Sequence, residues 1–224
     1  MLRALLRWVV RLVVLVVLLV VVLIVAYRWI DPPGTPLMAI RWVEGAAIDH
    51  RRGALQGVPP ALGRAVIAAE DNRFCDHRGI DFDAVRDAIE EYEDGGPLRG
   101  ASTVTMQVAR NLFLWPGGGF LRKAAEAPIA LAIDLLWPKR RVMAVYLGIA
   151  EWGEGIFGAE AAAQRHFRKP ASALTRAEAA RLAAILPSPR RWSATAPSAY
   201  VARRARTIET RVDQLGARGF QCLG

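Results

Sequence analysis

Cysteine is nearly absent: Cys75 and Cys222 are the two in 224 residues. Two are too few for a disulfide framework, and their spacing matches no zinc pattern, which removes the cysteine-stapled and zinc-finger classes. Whether this pair closes a single bond is not decided by the sequence. Missing too is any internal repeat of fixed period, which removes the solenoids and propellers. Acidic residues are in deficit, 21 against 30 lysines and arginines, giving a formal charge of +9. The excess favours an anionic partner, be it nucleic acid, a phospholipid surface or a phosphorylated substrate, and charge alone does not choose among them. At 53% hydrophobic residues, the chain is long enough for one domain with a substantial core plus an appendage.

Charge is missing altogether from residues 12–27, LVVLVVLLVVVLIVAY. Arg3, Arg7 and Arg11 precede the run, and Arg28 and Trp29 stand where a small-x-small cleavage site would be needed. The run also exceeds the apolar region of a signal peptide, so it reads as an uncleaved anchor over residues 12–30 behind a basic tail, residues 1–11. Trp8 and Trp29 suit the two interfaces, and Arg11 and Arg28 can snorkel. A buried strand or core helix of this length is rare. The arginine cluster keeps the N-terminus in the cytoplasm and places the remainder outside it, which removes nucleic acid as a partner.

Residues 31–58, opening on DPPGTP, read as a linker and juxtamembrane region, and residues 59–224 as one mainly helical domain. Leu62, Ala65, Val66 and Ala69 mark a helix after Pro59 and Pro60; Phe82, Val85, Ile89 and Tyr92 mark a second, stopped by Gly95, Gly96 and Pro97. Further helices are predicted over about 102–114, 120–137 and 139–150. Thr175 with Glu178 forms a capping box, and Ser198 caps a last amphipathic helix that stops at Gly216. Only PLMAIRWV, residues 36–43, reads as a strand.

The titratable residues crowd into AAEDNRFCDHRGID, residues 68–81. Glu70 and Asp71 fall at the predicted C-terminal end of an apolar helix, where the dipole disfavours negative charge. A partly desolvated carboxylate there has a raised pKa suited to acid or base work, although a solvated helix end carries the same residues. His77 beside Cys75 and Asp76 is a single loop histidine, more often structural than a metal ligand. A second constellation is PGGGFLRKAAE, residues 116–126, a glycine-rich loop running into a helix whose first turn holds Arg122 and Lys123. Cations at a helix N-terminus oppose the dipole, and Arg122 before Glu126 is the less favourable order for an ion pair. The rule is broken on the side that favours an anion, so these residues with Arg110 read as a phosphate-type site or as ordinary solvated charges.

Together these stretches are familiar. AAEDNRFCDHRGID matches E-D-x-x-F-x-x-H-x-G, GASTVTMQVARNLFLW resembles G-[GA]-S-T-[IV]-[ST]-Q-Q, and RKAAE is R-K-x-x-E. KRRVMAVYLGIAEWGEGIFGAEAAAQRHF then resembles K-x-x-[IV]-[LM]-x-x-Y-L-N with its continuation. Order and spacing resemble the peptidoglycan glycosyltransferases, over about residues 59–198. The likeness is nearest to the monofunctional biosynthetic type, since no S-x-x-K or K-T-G box is present.

The resemblance implies a lysozyme-like, two-lobed helical domain with a groove, on a single N-terminal transmembrane helix. It implies that lipid II is polymerised into β-1,4 glycan with inversion and release of undecaprenyl pyrophosphate, without transpeptidase activity. Glu70 becomes the base that takes the proton of the acceptor 4-hydroxyl, and Glu126 the second catalytic carboxylate, beside the donor pyrophosphate. Arg110, Arg122 and Lys123 neutralise that pyrophosphate; Asp71, Ser102, Thr103 and Gln107 bind substrate along the groove; Phe74, His77 and Gly79 shape the loop around Glu70. Partners are lipid II, the lipid-linked chain, the bacterial inner membrane with the domain on its periplasmic side, and cell-wall synthesis or divisome proteins. No cofactor or metal ligand set is implied, with room left for a divalent magnesium or manganese ion near the pyrophosphate.

Met106 stands where the first motif glutamine is usual and Gly148 where the Y-L-N asparagine is usual. Met106 deletes an amide that could reach sugar or phosphate, and Gly148 within a helix costs about 1 kcal/mol relative to alanine. A lytic, lysozyme-like enzyme would also use a groove glutamate, and a non-catalytic wall-building scaffold would also use the charge. The first has no need of cations aimed at a pyrophosphate; the second predicts that Glu70→Gln changes nothing.

Overall fold

The uncharged run forms helix α1, Leu2–Tyr27, in a computed structural model that describes residues 1–51, 57–96, 100–117 and 119–224. Pro97 of the expected helix stop and Gly118 of the glycine-rich loop lie outside the described residues. At 1.5 Å per residue the helix is about 39 Å long, and it is long and apolar enough to cross a membrane. It begins at Leu2, so the arginine-bearing tail is part of the helix.

A helix end leaves its last carbonyls unpaired, and here the domain supplies donors. The Trp137 indole donates to Ile24 O at 2.7 Å and Arg141 Nε to Tyr27 O at 2.8 Å. Arg141 also reaches Ile30 O and Asp31 Oδ1, each at 2.7 Å. Helix α1 therefore meets the rest of the chain through a hydrogen-bonded joint.

Helix α2, Pro36–Val43, follows. This corrects the strand expected at PLMAIRWV. Thr35 is its N-cap, accepting from Met38 N at 3.2 Å, and Pro36 opens the first turn, where its missing N–H costs nothing. Period-2 alternation is weak in so short a stretch, and the Thr-Pro start outweighs the β-branched residues. Met38 is buried, while Trp42 and Val43 are exposed.

Two helical groups then pack together. Strand β1 (Asp49–His50) leads to α3 (Pro60–Glu70) and α4 (Phe82–Glu93), the latter capped by Asp81. Next come α5 (Val104–Phe113), α6 (Gly119–Leu136) and α7 (Lys139–Ile149). A hairpin of β2 (Glu151–Gly153) and β3 (Ile156–Phe157) precedes α8 (Ala159–Phe167), α9 (Arg176–Ile185) and α10 (Ala199–Leu215). Helix α3 lies against α9 and α10, whereas α5 lies against α6 and α7. Their buried faces, Leu62 and Val66 on α3, Leu182 on α9, Val142 and Met143 on α7, belong to one core. β1 pairs parallel to β3 with Asp49 opposite Ile156, and β2 pairs antiparallel to β3. The architecture is mainly helical and two-lobed, the lysozyme-like arrangement expected.

Cys75 and Cys222 form a disulfide across 147 residues, their Cα atoms 5.5 Å apart. It joins the loop after α3 to the 3-10 turn Arg218–Leu223, whose Phe220 and Leu223 are buried in the core.

Candidate active site

Glu70 is the last residue of α3, at the point where the two helical groups meet. Gln107 Nε2, from α5, donates to its Oε2 at 3.1 Å, and Arg204 Nη2, from α10, donates to its Oε1 at 3.3 Å. The Tyr146 hydroxyl of α7 donates to Gln107 Oε1 at 3.2 Å, which fixes the amide orientation. Burial pushes the Tyr146 phenol well above its ordinary value, so it remains a donor. Burial likewise raises the Glu70 carboxyl, against Gln107, Arg204 and Arg110, with Asp71 adding to the rise. The raised value expected from sequence is present, with desolvation as its main cause.

The loop beyond Glu70 is built around Asp71. Its buried carboxylate accepts from His77 Nε2 at 2.9 Å and from Val104 N, in the first turn of α5, at 2.8 Å. Phe74 is fully buried, edge-on to His77, with Lys139 Nζ 4.8 Å above its ring. Thr103 caps α5, accepting from Met106 N at 3.1 Å, and gives its own proton to Gly79 O at 2.6 Å. Gly79 has φ +74°, and a Cβ there would lie 2.8 Å from Ala130 O of α6, so glycine is required. Phe74, His77 and Gly79 all lie in the loop between α3 and α4. Asp71 and Thr103 are engaged in the same scaffold, while Ser102 is half-buried on the wall of a cavity of about 270 Å³ beside Glu70.

On the other side of Gln107 lies a cavity of about 360 Å³, walled by Arg110, Asn111, Gly117, Arg122, Tyr146 and Glu151 among others. Arg122 lies in the first turn of α6, donates to Gly117 O and pairs with Glu126, whose residue is only 1% exposed. Desolvation lowers the Arg122 pKa and the Arg110 cation lowers it further. Two arginines facing one space repel, and an anion between them relieves that repulsion. Lys123 is exposed on α6 and is not among the residues of this wall. Glu151 is tied to Arg41 of α2 at 2.9 and 3.1 Å. Among the described residues no cluster of three or more His, Cys, Asp or Glu side chains stands ready for a metal.

The structure thus brings the desolvated Glu70 and Gln107 close to a cavity walled by Arg110 and Arg122. A family profile described as Transglycosylase matches residues 39–213. The chain belongs to the transglycosylase family. A biosynthetic peptidoglycan transglycosylase of Rhodospirillum centenum is 59% identical to it over 189 residues, 84% of this chain and 82% of the relative. One of the same name from Caulobacter vibrioides is 52% identical over 184 residues, 82% and 80% of the two chains. A third, from Pseudomonas syringae pv. syringae, is 48% identical over 222 residues, 96% and 94%. This transglycosylase is thus a glycosyltransferase.

The two departures from the motifs fall differently in the transglycosylase fold. Met106 is buried in the core, so the first motif glutamine position does not face the groove here, and Gln107 is the amide that does. Gly148 sits in α7 with its carbonyl accepting from His50 Nε2 at 3.1 Å, and a Cβ at this position would meet no atom within 4 Å. Arg204 was not anticipated. It lies 134 residues from Glu70 among several arginines of one helix, and no local motif marks it.

Proposed function

We propose that this transglycosylase polymerises lipid II into β-1,4 glycan strands and releases undecaprenyl pyrophosphate. The observation that carries this reading is the position of Glu70, desolvated and held at both oxygens between an acidic cavity and a cationic one. The acceptor sugar lies beside Glu70, Ser102 and Asp71. Its 4-hydroxyl oxygen attacks C1 of the lipid-linked chain from the face opposite the leaving group, which inverts that carbon. Glu70 takes the hydroxyl proton as the new C–O bond forms, and the bond from C1 to the phosphate oxygen breaks. The electron pair leaves on the pyrophosphate, where Arg110 and Arg122 meet the charge, with Glu126 holding Arg122 in place. Lys123, exposed on the same helix, serves the outer part of the pyrophosphate.

The groove wall does not suit a resident divalent ion. Glu126 and Glu151, the carboxylates nearest the cationic cavity, are bonded to Arg122 and Arg41, so magnesium or manganese finds no free carboxylate pair there. No step above uses one. The lytic alternative leaves the paired arginines without a task, because glycan hydrolysis generates no diphosphate.

The reading places α1 across the bacterial inner membrane with its N-terminus in the cytoplasm and the domain on the periplasmic side, where it meets wall-synthesis or divisome proteins. The test is incubation of detergent-purified protein with labelled lipid II. Wild type should yield polymer and undecaprenyl pyrophosphate, and Arg122→Ala should slow it by about 10²–10³-fold. Release of soluble fragments from finished peptidoglycan, with no polymer from lipid II, would replace this reading with the lytic one.

A further inference from the structure

Arg204 belongs to no motif that identifies the site, yet it reaches the reacting carboxylate from the far end of the chain. Val201, Ala205 and Ile208 bury one face of α10, and Arg204 projects from its edge. Its side chain is 25% exposed and that of Glu70 is 16% exposed, so the pair is largely withdrawn from water. Gln107 donates to one Glu70 oxygen and Arg204 to the other, and neither group can accept a proton from a carboxylic acid. The cradle therefore favours the ionised form of Glu70, which accepts strongly at both oxygens. We propose that Arg204 is a positioning residue that holds Glu70 ionised and aimed for proton abstraction. The inference rests on the reading of Glu70 as the base.

The surroundings of Glu70 make this cradle necessary. Burial pushes the carboxyl up, and the neighbouring Asp71 pushes the same way. From α5, Arg110 opposes the rise, but it also faces Arg122 in the cavity taken to receive the leaving anion. Arg110 is thereby shared with the departing charge. From α7, Tyr146 is neutral and acts through Gln107. The Asp71 carboxylate is hydrogen-bonded to His77 Nε2 at 2.9 Å, while Arg73 and Asp81, which line the cavity on the Glu70 side, stand 3.5 Å from each other. Among the described residues Arg204 is then the cation bonded to Glu70 itself. Its Nε is buried without a hydrogen-bond partner, so the guanidinium is held by its contact with the carboxylate and by packing. Once Glu70 has taken the proton, that contact loses its charge, which favours release of the proton and return of the base.

The experiment is a pH profile of polymerisation by full-length protein in detergent, with labelled lipid II as the probe. Arg204→Gln should move the acidic limb of kcat/KM to higher pH. A shift of one pH unit is about a tenfold loss below the limb, with the curves converging at high pH. Arg204→Lys, which keeps the charge, should restore most of the limb. If Arg204→Gln does not fold, Arg204→Met, which keeps the packed stem, takes its place, with a thermal melt confirming the fold. A variant profile that overlays wild type, or lies below it by one factor at every pH, overturns the role of Arg204. Glu70→Gln, run alongside, separates the two claims: polymer from that variant overturns the base itself, whereas its silence with an unshifted Arg204→Gln profile overturns Arg204 alone.

Discussion

Removing the Cys75–Cys222 bond, by Cys75→Ala with Cys222→Ala or by reductant, should lower stability far more than activity. The bond closes a 147-residue loop, and chain-entropy arithmetic for that length gives about 5 kcal/mol at 25 °C. For a domain of this size that corresponds to a fall of about 10–20 °C in the melting midpoint. The ends it joins matter as much as the loop length. Cys75 lies in the loop that follows Glu70 and carries His77, and Cys222 lies in a turn already seated through Phe220 and Leu223. Those side chains keep the turn in place when the bond is cut, so the native arrangement survives at low temperature. The assay is thermal unfolding in detergent followed by circular dichroism, oxidised against reduced, with lipid II polymerisation measured at 20 °C on the same samples. A midpoint that moves by less than about 3 °C refutes the reasoning, because it means the C-terminal turn or the unfolded chain is restrained by something else. Activity lost at 20 °C with the fold intact refutes the claim that packing alone seats the loop.

Asp71→Ala strands both the His77 ring and the Val104 N–H, each buried, and should destabilise the fold by about 3 kcal/mol, read as a lowered denaturant midpoint. His166, which donates from Nε2 to Trp152 O, has its pKa lowered from 6.5 mainly by burial. The unfolded chain therefore takes up the proton first. Stability should fall as pH drops from about 6.5 towards the folded value, and His166→Gln should flatten that part of the pH–stability curve.

Several parts of this molecule were legible before any coordinates. The long apolar helix follows from the length of the run and its absence of charge. The helices with explicit caps, at Thr175 and Ser198, start where their side chains bond the backbone. Glu70, Arg110 and Arg122 stand out in the sequence as charges at helix ends, and Gln107 through the resemblance to the glycosyltransferase motifs. What stayed hidden is non-local or short. Strands β1, β2 and β3, of two or three residues each, carry too few positions to show a period of two. The helix at residues 36–43 is hidden in the sequence because Ile40 and Val43 suit strands, while its decisive signal, Thr35 before Pro36, is a cap. Against the motif Met106 reads as a lost polar contact, yet on α5 it is buried in the core. Arg204 reaches Glu70 through the packing of α10 on α3, a contact that no local pattern encodes.

The central claim is that Glu70 transfers the proton. Glu70→Gln tests it most directly, because the amide keeps the shape of the side chain and loses only the basic oxygen. In detergent, with labelled lipid II, the account predicts a protein that still folds, melting at or below the wild-type temperature because the new amide N–H faces a donor of the Gln107–Arg204 cradle, and that makes no polymer. Glycan strands formed at the wild-type rate by this folded variant would contradict it.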